Sequence, residues 1–228
     1  MYLVSAADRT SSAQCYDPRM SEERARNIKL LLFDVDGVLT DGTIWFFPSP
    51  AGAQLTTQEH ARQRATEGGF GIVSQNIVEV KGFHAHDGTS ISLARLAGIR
   101  TGLITKRISE TVALRARDLR LEHVYQGIQD KLTVFEEILE KEKLPAEKAA
   151  FVGDDIIDLP IMRNCGFAIA VANARPEVKQ EAHYVTEHRG GEGALRDAVE
   201  YILKSQGKWE QVMREYMQER SPAQSAHR

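Results

Sequence analysis

Six short apolar runs recur along this chain, and the stretches between them read as helices. The runs are 29–34, 100–105, 123–125, 149–153, 167–171 and 183–186. Each is too short to be a buried helix. The longest, Lys29-Leu-Leu-Leu-Phe-Asp34, is apolar without alternation, as in a strand covered on both faces. The intervening segments 90–96, 109–119, 131–143, 155–164 and 176–182 carry helical patterning. Ser109 is placed to cap the second and Gly98 to end the first. Strands alternating with helices dictate right-handed crossovers and a parallel sheet with helices on both faces. The fold class is therefore α/β, a doubly wound parallel sheet.

Two segments stand outside this repeat. Residues 44–82 form an excursion after the first strand. Its flanks, 43–47 and 77–83, are β-like in composition and are expected to pair as a flap around a long tip with Gly68-Gly69-Phe70-Gly71. The second is the C-terminal end, with helices expected over 192–204 and 208–220. The organisation reads as an N-terminal extension (1–27), a core (28–206) carrying the flap, and a tail (207–228).

Composition bounds the function. Among 228 residues, 42% are hydrophobic and 27% charged, with a net charge of -3, so no basic surface is available for nucleic acid or anionic lipid. The two cysteines, Cys15 and Cys165, lack CxxC spacing; that argues against a disulfide scaffold or a zinc site and suits a reducing cytoplasm. No apolar run approaches the roughly 20 residues of a membrane span. A secretory signal is not expected either, because no positive segment precedes an apolar stretch near Met1.

The chemistry is concentrated at strand ends. Asp34-Val35-Asp36-Gly37-Val38-Leu39-Thr40-Asp41 places two carboxylates at i and i+2 directly after an apolar strand. In an open α/β sheet this is the edge where ligands bind. Taken alone, the stretch also reads as a solvated Asp-Gly turn. Gly153-Asp154-Asp155-Ile156-Ile157-Asp158 repeats the situation after a second strand, although Asp155 alone would pass for an N-cap. Two acidic clusters at the ends of two parallel strands need a hard cation, for which magnesium and oxygen ligands are suited. Thr105 ends a third strand, and Lys131 opens a helix where a lone cation is mildly disfavoured.

These four elements, in this order, resemble the four motifs of the haloacid dehalogenase superfamily of phosphotransferases. The resemblance implies that Asp34 is the nucleophile and Asp36 the general acid/base. It also implies that Asp34, the Asp36 carbonyl and Asp154 hold Mg2+, that Asp155 supports the metal, and that Thr105 and Lys131 bind the phosphoryl group. The implied activity is hydrolysis of a phosphomonoester through a phospho-aspartate.

Within that superfamily the chain is similar to the 3-deoxy-D-manno-octulosonate-8-phosphate (KDO-8-phosphate) phosphatases of lipopolysaccharide synthesis. The stretches that carry this are Lys81-Gly-Phe-His-Ala-His86-Asp87-Gly88, Tyr125-Gln-Gly127 and Gly190-Gly-Glu-Gly193-Ala-Leu-Arg196. The similarity implies a small phosphorylated sugar-acid substrate contacted by His86, Asp87, Gly88, Arg107 and Arg115. It further implies a homotetramer whose tail reaches a neighbour's site, with the Gly190–Gly193 turn and Arg196 presented to an anion. The chain departs from the family at His86 and Ser92, where basic residues are usual, and at Lys106, where glycine precedes the arginine. Those changes leave open a different sugar or keto-sugar-acid phosphate as substrate. A catalytically silent oligomerisation module is the competing class, and the intact set Asp34, Asp36, Thr105, Lys131 and Asp154 argues against it.

Overall fold

The computed structural model describes residues 18–48, 70–71 and 77–219. Its centre is β1 (Leu30–Phe33), four fully buried apolar residues that alternation could not have produced on a half-exposed sheet. β1 pairs in parallel with β5 (Arg100–Ile104) on one side and β8 (Ala149–Gly153) on the other. The sheet continues to β7 (His123–Tyr125) beyond β5, and to β9 (Phe167–Ala170) and β10 (Tyr184–Val185) beyond β8. The order is β10-β9-β8-β1-β5-β7, all parallel. The chain reverses its direction of travel across the sheet at β1, so the switch point falls between β1 and β8.

Register decides what meets at that point. Phe33 lies opposite both Leu103 and Val152, so the residues just beyond these strands arrive together at the carboxyl edge. They are Asp34, Thr105 and Asp154.

The helices fall into two sets. In the first, α1 (Pro18–Arg26) packs on α7 (Ala194–Ser205), and α2 (Ala85–Leu96) packs on α7 and on α8 (Trp209–Glu219). In the second, α4 (Lys131–Glu142) meets α5 (Leu159–Met162), which meets α6 (Pro176–Glu181). The remaining helix, α3 (Glu110–Asp118), is capped by Ser109, whose hydroxyl accepts from Val112 N. Asp130 caps α4 by accepting from the amides of Leu132 and Thr133.

Two boundaries differ from the sequence expectation. α2 begins five residues early, at Ala85, and takes in Gly88, which lies before the helix expected over 90–96. The helix accepts that glycine because α3 presses on it: a Cβ there would lie 2.4 Å from Arg115 Nη2. The helix expected over 155–164 is split into a 3-10 turn, Ile156–Asp158, and the short α5. Pro160 lies in the first turn of α5, where it fits, but it cannot continue a helix already under way.

In the flap, β2 (Trp45–Pro48) pairs antiparallel with β4 (Ile77–Val80), Trp45 opposite Val80. Trp45, Phe46 and Phe47 are all about half exposed on it. β3 (Phe70–Gly71) runs parallel to β6 (Arg107–Ile108), tying the insertion to the loop after β5. Most of the expected tip, including Gly68 and Gly69, lies outside the described residues, as do the first 17 residues of the extension and the tail from 220 onward.

Candidate active site

Asp34 follows β1 directly; its amide donates to Val152 O at 3.0 Å, so the sheet ladder fixes it. Its side chain is buried. Burial pushes the carboxyl up to about 7, with the Lys131 ammonium pulling the other way. Lys131 Nζ stands 3.0 Å from Asp34 Oδ1 and 2.7 Å from Asp158 Oδ1. Burial works against that ammonium, but Asp34 and Asp158 outweigh it and hold it above the usual lysine range. Lys131 is therefore a permanent cation at the first residue of α4, where the helix itself opposes one.

Asp154 follows β8 beside Asp34. Burial, then the charges of Asp34, Asp158 and Asp155, push its carboxyl up to about 8. The sequence reading missed Asp158, which is fully buried. Its Oδ2 accepts from the amides of Asp154 at 3.0 Å and Asp155 at 3.4 Å. The available signal was the Asp155-x-x-Asp158 spacing of a capping box, which the structure contains. Asp155 is the N-cap of that turn, accepting from Ile156 N.

The donors suit a hard divalent cation. One carboxylate oxygen from each of Asp34, Asp154 and Asp158 lies within 4.8 Å of the others. Asp158 spends both oxygens on Lys131 and the two amides. Asp154 Oδ1, in contrast, is buried with no hydrogen bond, and Asp34 Oδ1 meets only the Lys131 ammonium, outside hydrogen-bond geometry. A buried Asp34 and a half-buried Asp154, both carboxyls pushed up toward neutral pH and Asp154 Oδ1 without a hydrogen bond, are the arrangement a magnesium ion satisfies.

Asp36 projects from the tight turn Val35–Leu39, closed by Thr40 N donating to Val35 O at 3.0 Å. Gly37 makes that turn possible with φ +94, and its carbonyl is covered by Gly190, where a Cβ would sit 1.6 Å from Gly37 O. Around Asp36 the charges alternate in a closed ring. Lys81 Nζ pairs with Asp36 Oδ1 and lies 3.8 Å from Glu79 Oε1. Arg107 joins Glu79 Oε2 at 3.0 Å and approaches Asp36 Oδ2 to 3.7 Å. Lys81 opens a stretch that carries the family resemblance, but neither it nor Glu79 reads as a site residue in sequence, since a lysine after a strand is ordinary.

A cleft of about 340 Å³ opens over these groups, lined by Asp34, Asp36, Thr105, Lys106, Arg107, Asp154, Asp155 and Ile157. Arg107 is thus the residue of the expected substrate set that faces it. Asp87 does not: it is fully buried, and its Oδ1 accepts from Arg196 N at 3.0 Å, capping α7. Gly88 is covered by Arg115, which spans α2 and α3, bonds Asp118 at 2.5 Å and lies over Phe83. His86 is exposed on α2, its ring edge-on to His84. The glycine turn also differs from expectation. Gly190 N donates to Asn173 Oδ1 in the loop after β9, and Gly191 N to Val38 O, so the second of these amides braces the chain's own catalytic loop. Arg196 is engaged by Glu200 and lies over the Trp209 ring.

Residues 102–196 match the family described as haloacid dehalogenase-like hydrolase. The chain is 36% identical over 204 residues to the 3-deoxy-D-manno-octulosonate 8-phosphate phosphatase of Escherichia coli strain K12, covering 89% of this chain and 94% of that one. The crystal structure of the same phosphatase from Yersinia pestis superposes with a TM-score of 0.70 at 35% identity, covering 87% and 94% of the two chains. The Moraxella catarrhalis phosphatase, solved with magnesium, phosphate and KDO, gives 0.69 at 31% identity, covering 86% and 97%.

Proposed function

The chain belongs to the 3-deoxy-D-manno-octulosonate 8-phosphate phosphatase family of haloacid dehalogenase-like hydrolases, and from that premise we propose that it hydrolyses this phosphomonoester to the free sugar acid and phosphate. The observation that carries the proposal is the meeting of Asp34, paired with the buried Lys131 ammonium, and Asp154, whose Oδ1 has no hydrogen bond. It is a site built to bring an anionic phosphate against a carboxylate.

Asp34, Asp154 and the Asp36 carbonyl would hold magnesium, which would supply the charge that lets a carboxylate approach a phosphate dianion. Asp34 attacks phosphorus through a carboxylate oxygen; the Asp34–phosphorus bond forms as the ester bond to the sugar oxygen breaks. Asp36 gives its proton to that leaving oxygen. It then takes a proton from the water that attacks the phosphorus of phospho-Asp34, returning Asp34 as a carboxylate. Lys131 and the Thr105 hydroxyl stabilise the charge on the transferring phosphoryl group. Asp158 orients Lys131 and the Asp154 loop, while Asp155 secures the turn that carries them.

Arg107, on the cleft wall, is placed to meet the sugar carboxylate, with Lys106 beside it. His86, Gly88 and Arg115 do not line this cleft within one chain, and a role for them in binding requires a neighbouring copy. The exposed aromatic side chains of the flap strand, Trp45 and Phe47 on one face and Phe46 on the other, support self-association as a homotetramer. No described helix is long and apolar enough to cross a membrane; the two cysteines without CxxC spacing suit a reducing compartment, and a cytoplasmic location is part of the proposal.

The test is phosphate release from KDO-8-phosphate with and without magnesium, beside a panel of other sugar and keto-sugar-acid phosphates. The expected result is magnesium-dependent turnover with highest kcat/KM on KDO-8-phosphate, lost in Asp34→Asn with the fold retained. Full activity in Asp34→Asn refutes the nucleophile. Preference for another ester refutes the substrate. Sedimentation of an active monomer refutes the tetramer.

A further inference from the structure

The ring of alternating charge around Asp36 contains a residue with no part in the chemistry described so far. Lys81 is a lysine whose side chain is 0% exposed. Burying an ammonium is costly unless anions compensate it closely. Its compensation comes from Asp36 Oδ1, in direct contact, and from Glu79 Oε1 at 3.8 Å. Glu79 belongs to the flap strand β4, and Thr111 at the start of α3 donates to its carbonyl at 3.2 Å. Glu79 also holds Arg107 at 3.0 Å, and Arg107 stops 3.7 Å short of Asp36 Oδ2.

The two oxygens of Asp36 are therefore unlike. Oδ1 is tied to a buried cation. Oδ2 has the Arg107 guanidinium nearby but outside hydrogen-bond reach, and Arg107, unlike Lys81, lines the cleft. An acid/base carboxylate has to come within about 2.6–3.2 Å of the oxygen it serves. Asp36 is 21% exposed on a short turn, so its own backbone does not aim it.

We infer that Lys81 is a positioning residue for Asp36, held by Glu79, so that the flap hairpin aims the carboxylate that moves the proton. This rests on the reading of Asp36 as acid/base given above. Lys81 does not touch the substrate: by holding Oδ1 it directs Oδ2 toward the leaving oxygen and later toward the attacking water.

The test compares Lys81→Met, Asp36→Asn and the double variant in the full-length, magnesium-loaded enzyme. Two substrates are used, KDO-8-phosphate and 4-nitrophenyl phosphate, whose leaving group needs no proton. A misplacement of about 1 Å costs roughly 10²-fold, so kcat of Lys81→Met on KDO-8-phosphate is expected to fall by about that factor while KM moves little. With 4-nitrophenyl phosphate, rapid mixing is expected to show a full burst of nitrophenolate followed by slow turnover, because phospho-Asp34 forms but awaits its base. Lys81→Met is expected to add nothing to Asp36→Asn, since two residues acting through one carboxylate are not additive. A crippled Asp36→Asn beside a normal Lys81→Met overturns the inference and leaves the mechanism standing. A normal Asp36→Asn overturns both. Equal loss on the two substrates without a burst, or a further loss in the double variant, assigns Lys81 a structural role and also overturns it. If Lys81→Met does not fold, Glu79→Gln gives the same reading: a smaller loss with the same burst supports the inference, and wild-type kinetics overturn it.

Discussion

Lys131 and Asp158 meet at 2.7 Å with both side chains almost wholly out of solvent, and Asp158 is left with no oxygen to spare. This makes Asp158 a support for the phosphate-binding lysine. Asp158→Ala strands the ammonium with one partner and leaves the amides of Asp154 and Asp155 unpaired. Breaking a buried pair in this way costs about 3–5 kcal/mol. The expected outcome is a clear drop in the denaturant midpoint, together with a kcat loss of about 10²-fold from the displaced cation. Chemical denaturation and steady-state kinetics on the same preparation check both.

Magnesium and pH are expected to be coupled. The carboxyls of Asp34 and Asp154 titrate near 7 and 8 in the folded protein, against 3.8 ordinarily. Between those values the folded state binds more protons than the unfolded one, so stability falls as pH rises. That stability is complete below about 4 and is lost as pH passes through about 7 to 8. In chelator the melting temperature is therefore expected to decline from pH 5 to pH 8.5. Magnesium is expected to remove most of the decline by binding the ionised carboxylates. Thermal scans with and without the ion at both pH values measure it, and parallel pH dependence in the two conditions contradicts it.

Gly190→Ala is expected to be among the most damaging small changes in the chain. A methyl carbon there would lie 1.6 Å from the Gly37 carbonyl oxygen, far inside contact distance, and the obstacle is backbone that cannot swing aside. Overpacking of this kind costs about 1–3 kcal/mol, and the strain falls on the turn that carries Asp36. Activity is expected to fall much further than stability, which kcat and the far-ultraviolet spectrum distinguish.

Ending the chain after Gly207 removes α8, whose Val212 is buried and whose Trp209 lies under Arg196 and Lys204. The expected result is a lower melting temperature with magnesium-dependent hydrolysis of 4-nitrophenyl phosphate retained in the cold. Loss of that activity in a still-folded protein means that α8 serves the chemistry directly.

The strands were legible because a parallel sheet covered on both faces leaves a simple mark: Leu30–Phe33 and Ala149–Gly153 are apolar throughout. Once parallel order was granted, Asp34, Thr105 and Asp154 had to converge, since each follows a strand of matching register. What stayed hidden depends on long-range contact. Nothing near Lys81 in sequence says that a turn bearing Asp36 will lie against its ammonium. Asp87 sits in a glycine-containing stretch that resembles a binding loop, and only the arrival of α7, more than a hundred residues later, turns its carboxylate into a helix cap. The split at Pro160 was misread for a plainer reason: Leu159, Met162 and Arg163 around it are good helix formers.

The hydrogen bond from Gly191 to Val38 has a consequence for synthesis. The nucleophile leaves the ribosome early, on a Leu-rich segment whose second neighbour, β8, is translated more than a hundred residues afterwards. Until then the nascent chain exposes an apolar strand with an open edge, a target for holdase chaperones and for misassociation. The turn bearing Asp36 is braced later still, when residue 191 has emerged. A chain released before that point carries every acid of the first motif but lacks the brace on the turn that bears Asp36, so incomplete translation products are expected to leave phosphate esters intact.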